Sequence, residues 1–180
     1  MISKKPKAYL KRSCLLLSIL CVMYFMFIHG LSLRKTDNRP FVSYSLTETE
    51  AKDLKARLAS TSDEIEIIKR CNEFACQKLS FHRKDDLKMR KANCVGYAQY
   101  TAALLNYAFI YKSLKSKARP VVGQVHLYGI NLHPFAVAIM PKNLKSFFKD
   151  HDFVEIRKQN CDNMFIDSSL SDLLPGLSFI

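Results

Sequence analysis

The chain lacks the residue patterns of the common metal and nucleotide sites. It contains no Cys-x-x-Cys pair and no His-x-x-x-His pair, and these absences argue against a zinc site. It also has neither an acidic calcium loop nor a glycine-rich phosphate loop, which are the usual sequence signatures of calcium and nucleotide binding. The sequence therefore predicts a protein that needs no metal ion and no organic cofactor.

Acidic residues are scarce relative to basic ones. The chain has 28 Lys and Arg against 16 Asp and Glu, which gives a formal net charge of +12. The basic residues are scattered and are not interleaved with stacking aromatics, as a nucleic-acid groove would require. We expect a solvated basic face, and nucleic-acid binding is the weaker interpretation because it rests on charge alone.

Charged residues are absent from one long stretch near the amino terminus, Ser13 to Leu33. As a helix this stretch would rise about 31 Å, close to the thickness of a hydrocarbon core. A basic cluster precedes it: Lys4, Lys5, Lys7, Lys11 and Arg12. This pattern predicts a signal anchor with a cytoplasmic amino terminus and an exported carboxy-terminal domain, as in a bacterial inner membrane facing the periplasm. A cleaved signal peptide is the alternative.

The remaining length is that of one ordinary domain, since 147 residues follow the apolar stretch. The predicted organisation is a basic cytoplasmic leader over 1–12, a transmembrane helix over 13–33, a linker over 34–46 and a folded domain over 47–180.

Within that domain, helices come first and strands follow. Capping boxes at Thr47 and Thr61 predict the starts of two helices, and Asn93 is a suitable N-cap for a third. Four short apolar runs then predict strands: Val121 to Tyr128, His133 to Met140, Phe153 to Ile156 and Met164 to Ile166. The predicted fold class is α+β, with N-terminal helices packed on an antiparallel β-sheet and one transmembrane helix before them.

Three residues within these elements suggest chemistry. Cys94 would lie in the first turn of a helix, His133 at the start of a strand, and Asp167 at the end of the next strand but one. A helix N-terminus favours an anion, and nucleophilic thiol catalysis needs a base oriented by a third group. The sequence therefore predicts Cys94 as nucleophile, His133 as base and Asp167 as orienting carboxylate.

The other cysteines offer a non-catalytic alternative. Cys71 and Cys76 fall on one helix at a spacing that places their Cα atoms too far apart for a disulfide. Cys94 and Cys161 remain, and in an oxidising compartment they could be joined. A Cys94–Cys161 disulfide is thus the alternative to a reactive thiol.

These segments resemble the transglutaminase-like superfamily of papain-type thiol enzymes. The resemblance covers roughly residues 62–170 and rests on Asn-Cys-Val-Gly-Tyr-Ala from Asn93, His-Pro-Phe-Ala-Val from His133 and Met-Phe-Ile-Asp-Ser-Ser from Met164. It implies a papain-like core in which a cysteine begins a helix, a histidine precedes an aromatic residue in a strand, and an aspartate ends the following strand. On this chain those positions match Cys94, His133 and Asp167.

Two departures from the family pattern leave alternatives open. Pro134 and Phe135 stand where the family has Ala-Trp, and the chain contains no tryptophan. The stretch between His133 and the aspartate is also long, so three further aspartates compete with Asp167. They are Asp150, Asp152 and Asp162. Asp167 is preferred because an apolar strand leads into it.

The function predicted from these features is that of a membrane-anchored, exported thiol enzyme of transglutaminase-like type. It would act as an amidase, peptidase or acyltransferase on a peptide or protein substrate through a Cys-His-Asp triad. The alternative is a catalytically inactive domain of the same fold that serves as a protein-binding or scaffold module.

Overall fold

The structure, a computed structural model, describes residues 6–42, 44–82, 84–86, 90–139, 150–158 and 163–173. The described helices are α1 (Pro6–Gly30), α2 (Glu48–Leu58), α3 (Glu64–Lys78), α4 (Cys94–Tyr111), α5 (His133–Ile139) and α6 (Ser168–Leu173). The described strands are β1 (Leu31–Asn38), β2 (Ser80–Phe81), β3 (Lys91–Ala92), β4 (Lys117–Leu127), β5 (Ile130–Asn131), β6 (His151–Arg157) and β7 (Met164–Ile166).

The starts of α2 and α3 are set by their capping residues. Thr47 and Glu50 form the predicted capping box, in which the Thr47 side chain accepts from the Glu50 N–H and Glu50 accepts from the Thr47 N–H. The cap of α3 is Asp63, whose carboxylate accepts from the Glu66 N–H at 3.1 Å. The helix thus begins two residues later than a cap at Thr61 would place it, because the carboxylate of Asp63 takes the capping role.

The main sheet is antiparallel, with strand order β1-β4-β6-β7 and β5 paired to the end of β4. Strand β4 is long enough to pair with β1 and β6, and Val121 lies opposite Asn38 on one side and Phe153 on the other. An α+β fold with an antiparallel sheet, as predicted, is confirmed for the described residues.

Helix α4 is the central element of the larger core. Most of its side chains are buried, and it packs against α3 and against Ala118, Val154 and Ile156 of the sheet. A smaller cluster lies elsewhere on the sheet and consists of Leu31, Leu33, Val121, Val125, Phe153 and Leu170. Apolar side chains of the larger cluster therefore fix the position of α4 relative to β6 and β7.

The predicted membrane span is wrong. Helix α1 ends at Gly30, and the following residues belong to β1, where Leu31 and Leu33 are buried against the sheet. In the part of the chain that the structure describes, no helix has the length and apolar character needed to cross a bilayer. This finding overturns the predicted transmembrane helix and, with it, the predicted single-pass location and periplasmic domain.

The predicted strand from His133 to Met140 is also wrong. His133–Ile139 form helix α5, and Met140 lies outside the described residues. Asn131 accepts a hydrogen bond from the His133 N–H at 2.9 Å, which ties down the start of the helix. Pro134 then lies in the first helical turn, where its missing N–H removes no intrahelical bond, whereas in a central strand it would remove a ladder bond.

Candidate active site

The Asn93 side chain positions Cys94 at the start of α4. The Asn93 oxygen accepts from the backbone N–H groups of Val95 at 2.8 Å and Gly96 at 3.3 Å, as the sequence predicted for an N-cap. Cys94 is the first helical residue, is half-buried and is a free thiol. Cys161, its alternative disulfide partner, lies outside the described residues.

The loop before α4 packs closely against its first turn. Asp85 accepts from the Asn93 N–H at 2.6 Å. A Cβ atom at Gly96 would lie only 2.6 Å from the same Asp85 carboxylate oxygen and 3.0 Å from Ala92. A side chain at position 96 would therefore push the loop away, so this glycine is needed for the close approach that holds the Cys94 turn in place.

His151, not His133, is the histidine that contacts Cys94. His151 is the first residue of β6 and is fully buried, and its Nε2 is hydrogen-bonded to the carboxylate of Asp167. The Cys94 side chain lies close enough to the His151 ring to shift its pKa. Because Asp167 holds Nε2, the opposite ring nitrogen, Nδ1, is the one available to the thiol.

Asp167 has two roles, one for each carboxylate oxygen. It follows β7, is buried, and accepts through Oδ1 from the Ser169 hydroxyl at 2.7 Å and the Leu170 N–H at 3.0 Å. Through Oδ2 it is hydrogen-bonded to His151. Because Oδ1 caps the turn, the carboxylate is held in place and its Oδ2 stays in contact with the imidazole.

The electrostatics of His151 follow from these two partners. Burial alone would lower the pKa of the imidazole, but the negative charge and hydrogen bond of Asp167, followed by the nearby Cys94 side chain, raise it above its ordinary value. A histidine with a raised pKa holds its proton at neutral pH. The cluster therefore favours an imidazolium between two groups that can carry negative charge.

Arg39 and Asp152 form an ion pair beside the histidine. Asp152 is buried, and its two oxygens accept from Arg39 Nε at 2.6 Å and Nη2 at 2.9 Å. The hydrogen bond with Asp152 is the main reason why the pKa of Arg39 is raised, and the charge of Cys94 contributes to the same shift. Arg39 thus joins the segment after β1 to β6 and places a positive charge near the thiol.

The structure places Cys94 and Asp167 next to the same histidine, His151, and it places His133 elsewhere. His133 is at the start of α5 and is half-buried. Of the competing aspartates, Asp150 is exposed, Asp152 is paired with Arg39, and Asp162 lies outside the described residues. The sequence did carry a signal for His151, since it lies two residues before the predicted strand Phe153 to Ile156 and is therefore followed, two positions later, by an aromatic residue.

The other described cysteines of the domain are poor nucleophiles. Burial raises the pKa of Cys71 to about 12. Burial, with the nearby charges of Asp172 and Asp167, raises that of Cys76 to about 12, and the Cys76 thiol donates to the Ser168 carbonyl at 3.3 Å. Neither thiol ionises near neutral pH, so among the described cysteines of the domain Cys94 is the one with both a base and access to solvent.

Metal ligands do not converge within the described residues, where no group of three or more His, Cys, Asp or Glu side chains could hold a metal ion. Comparison with protein-family models finds none that matches the chain, and comparison with curated proteins finds no match. The resemblance to the transglutaminase-like superfamily therefore stays a prediction, and the geometry of the cluster is the basis for assigning a function.

Proposed function

We propose that the protein is a thiol enzyme that cleaves or transfers the acyl group of a peptide or protein amide. One observation carries the proposal: the half-buried thiol of Cys94 lies next to the buried imidazole of His151, which is hydrogen-bonded to the buried carboxylate of Asp167. The order of nucleophile, base and orienting group is the one that thiol catalysis requires.

The reaction starts from an ion pair, in which His151 holds the proton that the Cys94 thiol has given up and Asp167 stabilises this imidazolium. The thiolate sulfur attacks the carbonyl carbon of the amide, and the C=O π-electron pair moves to oxygen. When the tetrahedral intermediate collapses, the C–N bond breaks and the leaving nitrogen takes the proton from His151. The products are a free amine and an acyl thioester on Cys94.

The N-terminus of α4 supplies a donor for the developing oxyanion. The Asn93 side chain already accepts from the N–H groups of Val95 and Gly96. Among hydrogen bonds between described residues, the backbone N–H of Cys94 itself has no acceptor. That N–H is adjacent to the nucleophile, where a preorganised donor stabilises a tetrahedral intermediate most effectively.

In the second half, His151 removes a proton from water or from an amine, which attacks the thioester carbonyl and releases the Cys94 thiolate. Water gives a carboxylic acid, as in an amidase or peptidase, and an amine gives a new amide, as in an acyltransferase. The half-buried thiol is accessible to either acceptor.

The test is the pH dependence of Cys94 alkylation by iodoacetamide in the full chain, read at the Cys94 peptide by mass spectrometry. We expect rapid alkylation at about pH 6, well below the pKa of about 8.5 for a free thiol. His151→Ala removes the base and should reduce the low-pH rate to that of an ordinary thiol.

His133→Ala is the matched control, because it removes the other candidate histidine and should leave the Cys94 rate unchanged. Far-UV circular dichroism and a thermal melt of each variant establish that it is folded. Slow alkylation of wild-type Cys94 at pH 6, or equal rates in wild type and a folded His151→Ala variant, would contradict the proposal. Such a result would favour a non-catalytic, protein-binding domain.

A further inference from the structure

A shallow cationic cavity, wide open to solvent, lies at the far end of β6 from the thiol. It has a volume of about 330 Å³ and is lined by four residues, Lys115, Lys117, Arg157 and Lys158, all of them basic. Arg157 ends β6, whereas His151 begins it. Six residue steps at about 3.3 Å separate the two by about 20 Å, so this cavity is distinct from the Cys94 site.

The sheet places two of these positive charges directly opposite each other. Lys117 and Arg157 are cross-strand partners at the ends of β4 and β6, and both are exposed. Like charges in this position repel each other and destabilise a strand pair. The arrangement is unfavourable for stability by itself, and an anion bound between the two strands would remove the repulsion.

Arg157 has an ion-pair partner, Glu155, but this carboxylate is shared with other cations. Glu155 lies 3.4 Å from the Arg157 Nε, but it also accepts from Lys35 at 3.1 Å and from Arg119 at 2.5 Å. One carboxylate is thus shared among three cations. Among the described residues, no ion pair joins Lys115, Lys117 or Lys158 to a carboxylate, although Glu64 accepts from the hydroxyl of Ser116, which lies between the first two lysines in the chain.

We propose that this cavity binds a compact ligand that carries two or more phosphate groups. Arg157 offers a planar fork that pairs with phosphate oxygens, and lysine ammonium groups bind phosphate as point charges. The volume falls within the range of small-molecule sites, at its lower end. Binding here does not depend on whether Cys94 is a nucleophile.

Isothermal titration calorimetry of the full chain with inorganic tripolyphosphate at low ionic strength tests this proposal. The variant is Lys117→Gln/Arg157→Gln, and we expect it to weaken binding at least about tenfold, because two charge-assisted contacts are lost. The matched control, Lys52→Gln/Lys84→Gln, removes the same charge from exposed lysines outside the cavity and should leave the affinity unchanged.

Thermal melting separates loss of the site from loss of the fold. Without ligand, the cavity variant should melt at or above the wild-type temperature, because the cross-strand repulsion is relieved. Tripolyphosphate should raise the melting temperature of wild type and of the control, but not that of the cavity variant. If both double variants lose the same affinity for tripolyphosphate, binding depends on net charge alone, and the proposal is overturned.

Two further measurements address the chemistry of the ligand. Citrate carries carboxylates in place of phosphates, and binding of citrate as tight as that of tripolyphosphate would overturn the phosphate assignment. Cosedimentation with vesicles of phosphatidylcholine and phosphatidylglycerol tests lipid headgroups as the source. Vesicle binding that is lost in the cavity variant, with no tripolyphosphate binding in wild type, would assign the cavity to a lipid and overturn a soluble ligand.

Discussion

Two buried carboxylates lie near helix α4, and their partners differ in kind. Asp167 is hydrogen-bonded to His151, which in turn contacts Cys94 at the first residue of the helix. Glu50 accepts from the hydroxyl of Tyr100, on the same helix, at 2.8 Å and from Arg90 at 2.7 Å. Glu50 is as buried as Asp167, so burial by itself does not distinguish a reactive cluster from a structural one.

The difference lies in which groups can exchange protons near neutral pH. Burial alone would raise the pKa of Glu50, but hydrogen bonds from Thr47, Tyr100 and Arg90 lower it to about 2. Burial and the hydrogen bond to Glu50 raise the pKa of Tyr100, and the same carboxylate raises that of Arg90. Glu50, Tyr100 and Arg90 therefore do not change protonation state near neutral pH. The Asp167 cluster instead contains an imidazole and a half-buried thiol, between which a proton can move.

Among the variants that distinguish the Asp167 cluster from the Glu50 cluster, Asp167→Asn should have the largest effect. The amide oxygen of Asn can still cap α6, but the negative charge beside His151 is lost. A neighbouring negative charge raises the pKa of a histidine by about 1–3 units, so without it His151 holds the thiol proton less well and less thiolate forms. We therefore expect the Cys94 alkylation rate at pH 6 to fall by about 100-fold. Glu50→Gln is the matched control and should leave that rate unchanged. A rate for Asp167→Asn equal to that of wild type would mean that the imidazole does not depend on the carboxylate.

The same variant has a signature in stability. The pKa of His151 is raised in the folded protein. Protonation of His151 therefore makes its full contribution to the free energy of unfolding below the ordinary pKa of about 6.5, and this contribution declines as the pH rises towards the folded pKa. Asp167→Asn should flatten this alkaline decline in urea titrations. An unchanged slope would argue that His151 is not held as an imidazolium.

Glu50→Gln should have the second-largest effect, and on stability alone. We expect a loss of about 2 kcal/mol in the free energy of unfolding at pH 7, because the charged hydrogen bonds to Arg90 and Tyr100 are weakened. The pKa of Glu50 is lowered to about 2. Its contribution is therefore present above the ordinary value of about 4.5 and is lost as the pH falls towards 2.

Urea titrations from pH 7 to pH 2 measure this difference. Wild type should lose stability steeply below about pH 4.5, whereas Glu50→Gln should lose less over the same interval. Parallel curves for the two proteins would show that other carboxylates cause the acid sensitivity.

Local sequence signals predicted much of this arrangement. The Thr47 capping box, the Asn93 cap and the strands around Val154 and Phe165 depend on neighbouring residues, and the structure confirms them. The charged network around Glu50 was not predicted, because Arg90 and Tyr100 lie 40 and 50 residues away along the chain.

The predicted strand at His133 fails for a local reason, and the predicted membrane span fails because of a tertiary contact. His133 begins an apolar run, but Pro134 and the Asn131 hydrogen bond favour a helix, so the run does not join the sheet. Leu31 and Leu33 extend an apolar stretch, but they pair with β4. Both predictions treated an apolar run as sufficient to determine its own secondary structure. In the protein, pairing with a neighbouring strand decides which apolar runs become part of the sheet.

The smallest predicted effect is at Asn93, where stability and reactivity can be separated. Asn93→Ala removes the side chain that accepts from Val95 and Gly96, and we expect a loss of about 1 kcal/mol in the free energy of unfolding. Asn93→Asp retains the acceptor and adds a negative charge that the helix N-terminus favours, so its stability in urea should match or exceed that of wild type.

The added charge of Asn93→Asp also lies next to Cys94 in the chain, where it opposes formation of the thiolate. The Cys94 alkylation rate at pH 6 should therefore fall about threefold although the fold is no weaker. A variant that gains stability while losing reactivity would show that the helix start favours anions and that the thiolate is one of them. If Asn93→Asp reacts as fast as wild type, the negative charge in the reactive state does not develop on the sulfur of Cys94.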